Sequence, residues 1–558
     1  MTRGGSDRPS TGPADTVLVG GRVVTMDAER TLASAVAVRA GRMVAVGDDR
    51  VVREWIGPRS RVVDLRGRTV TPGFGDAHVH PISAGLDRSR CDLDGSRGLD
   101  AYLSAISAYA ASHTDEPWIR GGGWSMGDFP GGIPHRADLD SVSPDRPVYL
   151  ESRDGHTAWV NSKALEAAAI TAETLDPHDG RIERDADGRP SGALQEGATF
   201  LVERLIPATT SEELVTALRL SQAELHSLGV THWQDAGVTY EEEEVAYTSL
   251  AGHAGLTARV VGALWWEWER GAEQIEGFLE RRTRTAIGRY APTSAKLMLD
   301  GIVENLTAGV LEPYLDAAGR PTSNRGLTQI DPESLKAHVT QLDALGFQPH
   351  FHAIGERAVR EALDAVEAAR RENGVTDTRP QIAHIQVIHP DDIGRFHELG
   401  VTANAQPYWA VHEDQMDRLT IPILGEGRAS WQYPFKSLLT AGASLAMGSD
   451  WSVSTADPLL QMEVAVTRVS DEHRGQKPPF LPDERIELID ALAGFTTGSA
   501  HANHLEDTLG SIEVGKTADL VVLDRDLFDR AEGAIGEARV VATFIDGVAV
   551  HESAGLDG

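Results

Sequence analysis

Between His78 and Asp450 short apolar runs of strand character alternate with runs of helical spacing, the pattern of βα units around a parallel sheet. The strand-like runs close on His78-Val79-His80, Tyr149-Leu150-Glu151, Thr231 to Asp235, Val260 to Leu264, Lys296 to Asp300, His350-Phe351-His352, Ile382-Ala383-His384, Thr402 to Gln406 and Ala446 to Asp450. Those are nine candidates where a closed parallel barrel needs eight. The stretch from His80 to Gly229 is too long for one βα unit and carries Gly121-Gly122-Gly123 and Gly131-Gly132. The run at Tyr149 therefore goes to a subdomain inserted after the first strand, at about 85–225, and the fold class is α/β, a (β/α)8 TIM-like barrel over residues 71–495.

The two ends of the chain read differently. From Thr16 to Leu65, β-branched runs such as Thr16-Val17-Leu18-Val19 and Met43-Val44-Ala45-Val46 are separated by tight turns, and the texture returns at Asp519 to Leu523 and Ala538 to Val548. Neither segment has strands enough to cover two sheet faces, so residues 15–70 and 496–553 are expected to pair into one discontinuous β-sandwich. Residues 1–14, rich in Gly, Ser and Pro without an apolar core segment, read as a flexible N-terminus.

Charge narrows the partners. With 52 Lys and Arg against 84 Asp and Glu, the net charge of −32 opposes attraction to nucleic acid or anionic membranes, whose binding relies on cationic side chains. A small-molecule substrate is the expected partner, and the sequence leaves room for a homodimer. One cysteine, Cys91, cannot form an internal disulfide, and no run approaches the roughly 18 apolar residues of a membrane span. Cytoplasmic localisation is expected.

In a strand, residues two apart share a face, so His78 and His80 can aim two imidazoles at one point. Alone that pattern is weak. It gains force because Lys296, His352, His384 and Asp450 also stand at the C-terminal ends of expected strands, and in a βα barrel those ends converge on one mouth. An ammonium is a poor metal ligand, and a lysine salt bridge, here to Asp300, is the plainer reading. A neutral lysine amine, however, can add carbon dioxide to become a carbamate whose oxygens bridge two cations. His350 shares the face of His352 one pleat deeper and reads as a core or supporting residue.

With these residues in place the chain resembles the metal-dependent amidohydrolase superfamily, in its amidohydrolase-3 branch, from about Thr16 to His551. The motifs that carry the resemblance are Pro72-Gly73-Phe74-x-Asp76-x-His78-x-His80, Lys296-x-x-x-Asp300-Gly301, His352-Ala353-Ile354-Gly355-Glu356, Ala383-His384-x-Gln386 and Gly448-Ser449-Asp450. The resemblance implies two divalent metal ions, with zinc expected. His78, His80 and Asp450 would bind the first, His352 and His384 the second, with Lys296 bridging as a carbamate. It also implies Lys after strand four, the two later His after strands five and six, and Asp after strand eight, which agrees with leaving Tyr149 outside the barrel.

The implied reaction is hydrolysis of an amide-type C–N bond by metal-activated hydroxide, with Asp450 moving the proton. A further match, Asp154-Gly155-His156-Thr157-Ala158-Trp159, makes His156 the candidate catalytic donor to a developing oxyanion. Trp124, Trp265, Trp266, Tyr408, Trp409 and Trp451 stand near the expected mouth, and Trp124, Trp265, Trp409 and Trp451 with His156 are the candidate substrate contacts of a largely apolar pocket. No Lys or Arg cluster adjoins the strand ends, against a phosphorylated substrate.

Residues 300–308 look like those of N-substituted formamide deformylases, which adds N-substituted formamides and N-acyl amines to the candidate substrates. An esterase, a carbamate hydrolase or a cyclic amide hydrolase would use the same site. A catalytically silent scaffold is disfavoured by retention of all six ligand-type residues. A metal-free glycosidase would need a carboxylate pair that Glu151 and Asp235 do not convincingly make.

Overall fold

A computed structural model describes residues 12–529, 534–553 and 556; most of the expected N-terminal tail, residues 1–11, and residues 530–533 of the second sandwich segment lie outside the described residues. Ala14, at the end of that expected tail, is already buried, and its amide donates to the Trp55 carbonyl at 2.8 Å.

Eight parallel strands form the central sheet: β1 (Phe74–Val79), β2 (Val230–Val238), β3 (Arg259–Trp265), β4 (Tyr290–Met298), β5 (Gln348–Ala353), β6 (Gln381–His384), β7 (Thr402–Ala405) and β8 (Ser444–Met447). Each pairs with the next in chain order, so β1 and β8 stand at the two ends of the ladder. Their C-terminal tips are joined by two bonds, Asp450 amide to His78 carbonyl at 2.7 Å and His80 amide to Trp451 carbonyl at 2.8 Å. Gly448 makes the approach possible, since a Cβ there would stand 2.5 Å from the His78 nitrogen. The barrel is thus pinned shut at the end where the ligand-type residues lie.

Helices cover the outside by ordinary amphipathic logic. In Glu356–Asn373, Val359, Leu363 and Val366 recur at helical spacing and are buried, while Arg370 and Arg371 sit in the last turn near the negative end of the helix dipole. Ser211–Ser227 opens with a capping box of Thr210 and Glu213 and lies against Pro81–Ser89, so closely that a Cβ on Gly85 would meet the Ala217 backbone.

Between these two helices the chain builds a six-stranded sheet in the order Gly180–Arg184, Pro190–Glu196, Thr157–Val160, Val148–Ser152, Ile119–Trp124 and Cys91–Asp92. Tyr149 belongs to this sheet and not to the barrel. Cys91 is buried in its core, and burial pushes the thiol up to about 12, which leaves it unreactive.

At the other end of the barrel two sheets enclose a core of Leu18, Val36, Val63, Val70, Leu520, Val522 and Phe544. Thr69–Pro72 pairs antiparallel with Leu520–Leu523, with Val521 opposite Thr71, so the two termini share one sheet and Thr69–Pro72 runs straight on into β1. Residues 496–519 include the helix Ser499–Ala502, whose Ala502 packs on Ala77 and Ala446 below the barrel. No helix among the described residues is long and apolar enough to cross a membrane.

Candidate active site

The C-terminal ends of β1, β4, β5, β6 and β8 deliver His78, His80, Lys296, His352, His384 and Asp450 to the floor of one cavity of about 370 Å³. Asp450 sits centrally: one carboxylate oxygen lies 3.3 Å from Nε2 of both His78 and His80, and the other 3.8 Å from Nδ1 of His384. Lys296 Nζ is 3.4 Å from His78 Nε2, and the His352 and His384 rings lie 4.5 Å apart between centroids. His384 and Asp450 both adopt left-handed backbone conformations, with φ of 73° and 57°, uncommon for non-glycine residues.

The electrostatics suit a cation. Burial drives the protons off His78 and His384, whose pKa values fall well below the ordinary imidazole value. Burial also lowers Lys296 to about 8, against the pull of Asp450 and Asp235. The Asp450 carboxyl feels burial pushing it up, but the His80 hydrogen bond and the other groups around it, Lys296 among them, outweigh that and hold it below the carboxylate range.

His352 Nδ1 lies 3.2 Å from Asp300 yet forms no aligned hydrogen bond and has no other partner, though buried. The atoms of His78, His384 and Asp450 that can ligate lie within 4.8 Å of one another. Buried imidazole nitrogens crowded around one carboxylate, with too few protons to bond one another, are a donor set that fits divalent metal ions.

A family model described as the amidohydrolase family matches residues 61–551. The chain belongs to the amidohydrolase family. Among curated relatives, protein LONG AFTER FAR-RED 3 of Arabidopsis thaliana is 31% identical over 96% of this chain and 91% of its own length. The N-substituted formamide deformylase of Arthrobacter pascens is 29% identical over 97% of this chain and 99% of its own. Among solved structures, an uncharacterised metal-dependent hydrolase from Pyrococcus horikoshii superposes with a TM-score of 0.72 at 25% identity, covering 92% of this chain and 97% of that one. The protein is accordingly a metal-dependent hydrolase of the amidohydrolase superfamily.

The wall of this amidohydrolase cavity comes largely from the insertion. His156 faces the floor, its ring 5.6 Å from that of His352. Its Nδ1 meets Glu196 Oε2 at 2.7 Å, and although burial works against the charged ring, Glu196 raises His156 to about 9, an imidazolium with one N–H to spare. Glu196 also accepts from Thr307 Oγ1 at 2.5 Å and from Asn305 Nδ2 at 3.4 Å, and Asn305 donates to the His156 carbonyl at 3.2 Å. The loop after β4 thus grips the insertion at the residue that points into the cavity. Asp300 anchors the same loop, accepting from the Gly309, Ile354 and Gly355 amides.

Of the aromatic candidates, Trp265, Trp409 and Trp451 line the cavity. Trp124 does not: it is wholly buried in the insertion core against Phe129 and Trp159, its indole N–H donating to the Leu150 carbonyl at 2.9 Å. It is excluded as a substrate contact because its strand turns that side chain into the sheet's own core. Trp266 is likewise buried in the barrel core. Phe200 and Trp268 take their place on the wall, with Trp268 6.4 Å from Phe200 and 6.2 Å from Trp265 between ring centroids.

The wall is less apolar than the tryptophans imply, since Asp87, Glu151 and Glu304 also face the cavity. Arg88 and Arg153 reach it too, but Arg88 is paired with Asp92 and Glu224 and Arg153 with Glu413, so neither forms an open anion clamp. Glu196, Phe200 and Trp268 had no sequence signal of their own; the spacing of Glu196 from His156 has meaning only once the antiparallel pairing of Thr157–Val160 with Pro190–Glu196 is known.

Proposed function

We propose that this cavity hydrolyses an amide-type C–N bond of a small, uncharged substrate. His78, His80 and Asp450 would hold one divalent ion, expected to be zinc, His352 and His384 a second, and Lys296 would join the two sites as a carbamate. The observation that carries the reading is the meeting of six ligand-type residues, scattered over the chain from residue 78 to residue 450, at one end of one barrel. The low pKa of Lys296 supports the carbamate, because a neutral amine is the form that adds carbon dioxide, releasing one proton.

Bound cations would polarise a carbonyl and lower the pKa of water at the site. The remaining work falls to the chain. Asp450, kept ionised by its neighbours, takes the proton of the attacking water and returns one to the leaving nitrogen. His156, fixed by Glu196, donates its free N–H to the oxygen that gains negative charge. Trp265, Trp268 and Phe200 pack on the substituent of the substrate, and the wall's Arg88 and Arg153, already paired with carboxylates, leave no cation free to clamp an anion.

The formamide deformylase among the relatives makes N-substituted formamides the first class to assay, followed by N-acyl amines, cyclic imides, carbamates and esters. The purified protein is expected to carry about two divalent ions per chain by elemental analysis and to lose turnover on chelation. Full turnover after exhaustive metal removal would overturn the proposal.

A further inference from the structure

The interior of a βα barrel is ordinarily filled with branched apolar side chains, yet directly beneath His78 this one holds a continuous ladder of polar groups. His78 Nδ1 lies 2.8 Å from His350 Nε2, and His350 Nδ1 lies 3.0 Å from Gln234 Oε1. Gln234 Nε2 reaches Gln348 Oε1 at 2.8 Å, and Gln381 Nε2 reaches the oxygens of both Gln234 and Gln348, at 2.6 and 2.8 Å. All of these side chains are buried.

The protons of the ladder are determined from both ends. At the bottom, Gln348 Nε2 faces two backbone carbonyls, those of Ala502 at 2.6 Å and Arg379 at 2.9 Å, so that end must be the amide NH2 and the other end the acceptor. Gln234 must then turn its NH2 to Gln348 and its oxygen to His350. From the top, the backbone amide of His384 fixes the oxygen of Gln406 at 2.8 Å, whose NH2 fixes the oxygen of Asn404 at 2.9 Å. The Asn404 NH2 donates to the Ala77 carbonyl and the Gln381 oxygen, which again leaves the Gln381 NH2 facing Gln234 and Gln348. Both routes give His350 an acceptor at Nδ1. A neutral His350 therefore carries its proton on Nδ1 and offers a lone pair at Nε2, so His78 must donate from Nδ1 and keep Nε2 bare toward Asp450 and Lys296.

We propose that His350 is a positioning residue which, held by the Gln234–Gln348–Gln381 ladder, fixes the His78 tautomer that leaves Nε2 free for a cation. This rests on the reading of His78 as a cation ligand. A hydrogen bond to the far nitrogen of a ligating imidazole orients the ring and raises its basicity, and its loss typically weakens metal binding about 10–100-fold.

The test uses full-length protein with 15N-labelled histidine, stripped of metal, with the His78 signals assigned by their loss in His78→Ala. Nitrogen shifts should show both His78 and His350 protonated at Nδ1 and bare at Nε2. In His350→Leu, zinc affinity measured by competition with a chromophoric chelator should fall about 10–100-fold. Should His350→Leu fail to fold, Gln234→Met frees His350 from the ladder, and both tautomers of His78 should appear in its spectrum. A wild-type His78 protonated at Nε2, zinc affinity unchanged in His350→Leu, or a single unaltered His78 tautomer in Gln234→Met would each overturn the proposal. The stated tautomer in a wild-type protein that takes up no zinc would instead sink the cation reading of the function, and the role of His350 with it.

Discussion

The floor and the wall of the cavity are built on different terms. The floor is a set of side chains from β1, β4, β5, β6 and β8, each at the C-terminal end of its own strand and each held by a closed barrel. The wall is a graft: His156, Glu196 and Phe200 come from the inserted sheet and its margins and are locked to the barrel through the loop after β4. The floor leaves His352 Nδ1 buried without a hydrogen-bond partner beside the unprotonated rings of His78 and His384, whereas on the wall the charged ring of His156 is already paired with Glu196. A floor of that kind is built to take up cations, and a wall of this kind to orient what is brought to them.

The sharpest way to break this division is at the centre of the floor. Asp450→Asn keeps the shape and removes the base, so kcat should fall by about 10²–10⁴-fold. The thermal unfolding temperature should change little. An Asp450→Asn enzyme with near wild-type kcat would move the chemistry off the floor.

Trp124→Ala separates wall from core. Because Trp124 packs inside the insertion, its truncation should cost about 3–5 kcal/mol of stability in denaturant unfolding, with KM unchanged in whatever protein remains folded. A raised KM with unchanged stability would return Trp124 to the substrate site.

His156→Ala removes the wall's donor and should lower kcat by about 10²–10³-fold while leaving the bound metal content as in the wild type. Glu196→Gln should give part of the same loss, since the amide still bonds Nδ1 but no longer favours the charged ring. Loss of metal in either variant would make the wall part of the floor.

How legible these regions were in the sequence follows from how each is specified. Floor residues are local: a ligand-type residue at the end of an apolar run can be seen in the run itself, and βα alternation alone says that such ends converge. The Tyr149 run could be kept out of the barrel because the segment around it is too long for one βα unit. The wall depends on pairing at a distance. Glu196 stands 40 residues from His156 and meets it only because two strands of the insertion run antiparallel, with Thr157 opposite Gln195. Trp124 misled for a related reason: a tryptophan beside glycines looks like a loop residue, but strand periodicity sends its ring inward, and which face is inward depends on the sheet's neighbours. The polar ladder under His78 was equally hidden, since Gln234, Gln348 and Gln381 are ordinary residues until the barrel closes around them.

The smallest expected effect lies at the rim, where the wall meets solvent. Phe200 is 47% exposed, and its ring reaches Trp268, which in turn reaches Trp265 above the floor. An aromatic contact of this kind contributes about 0.5–1.5 kcal/mol, so Phe200→Ala should raise KM roughly 2- to 10-fold for a substrate with an aromatic substituent. It should leave kcat, metal content and unfolding unchanged, and should have no effect on a substrate too short to reach the rim. A fall in kcat for both substrates would mean that the rim acts on the reacting bond, and a change in neither would shrink the working wall to His156 and the tryptophans beside it.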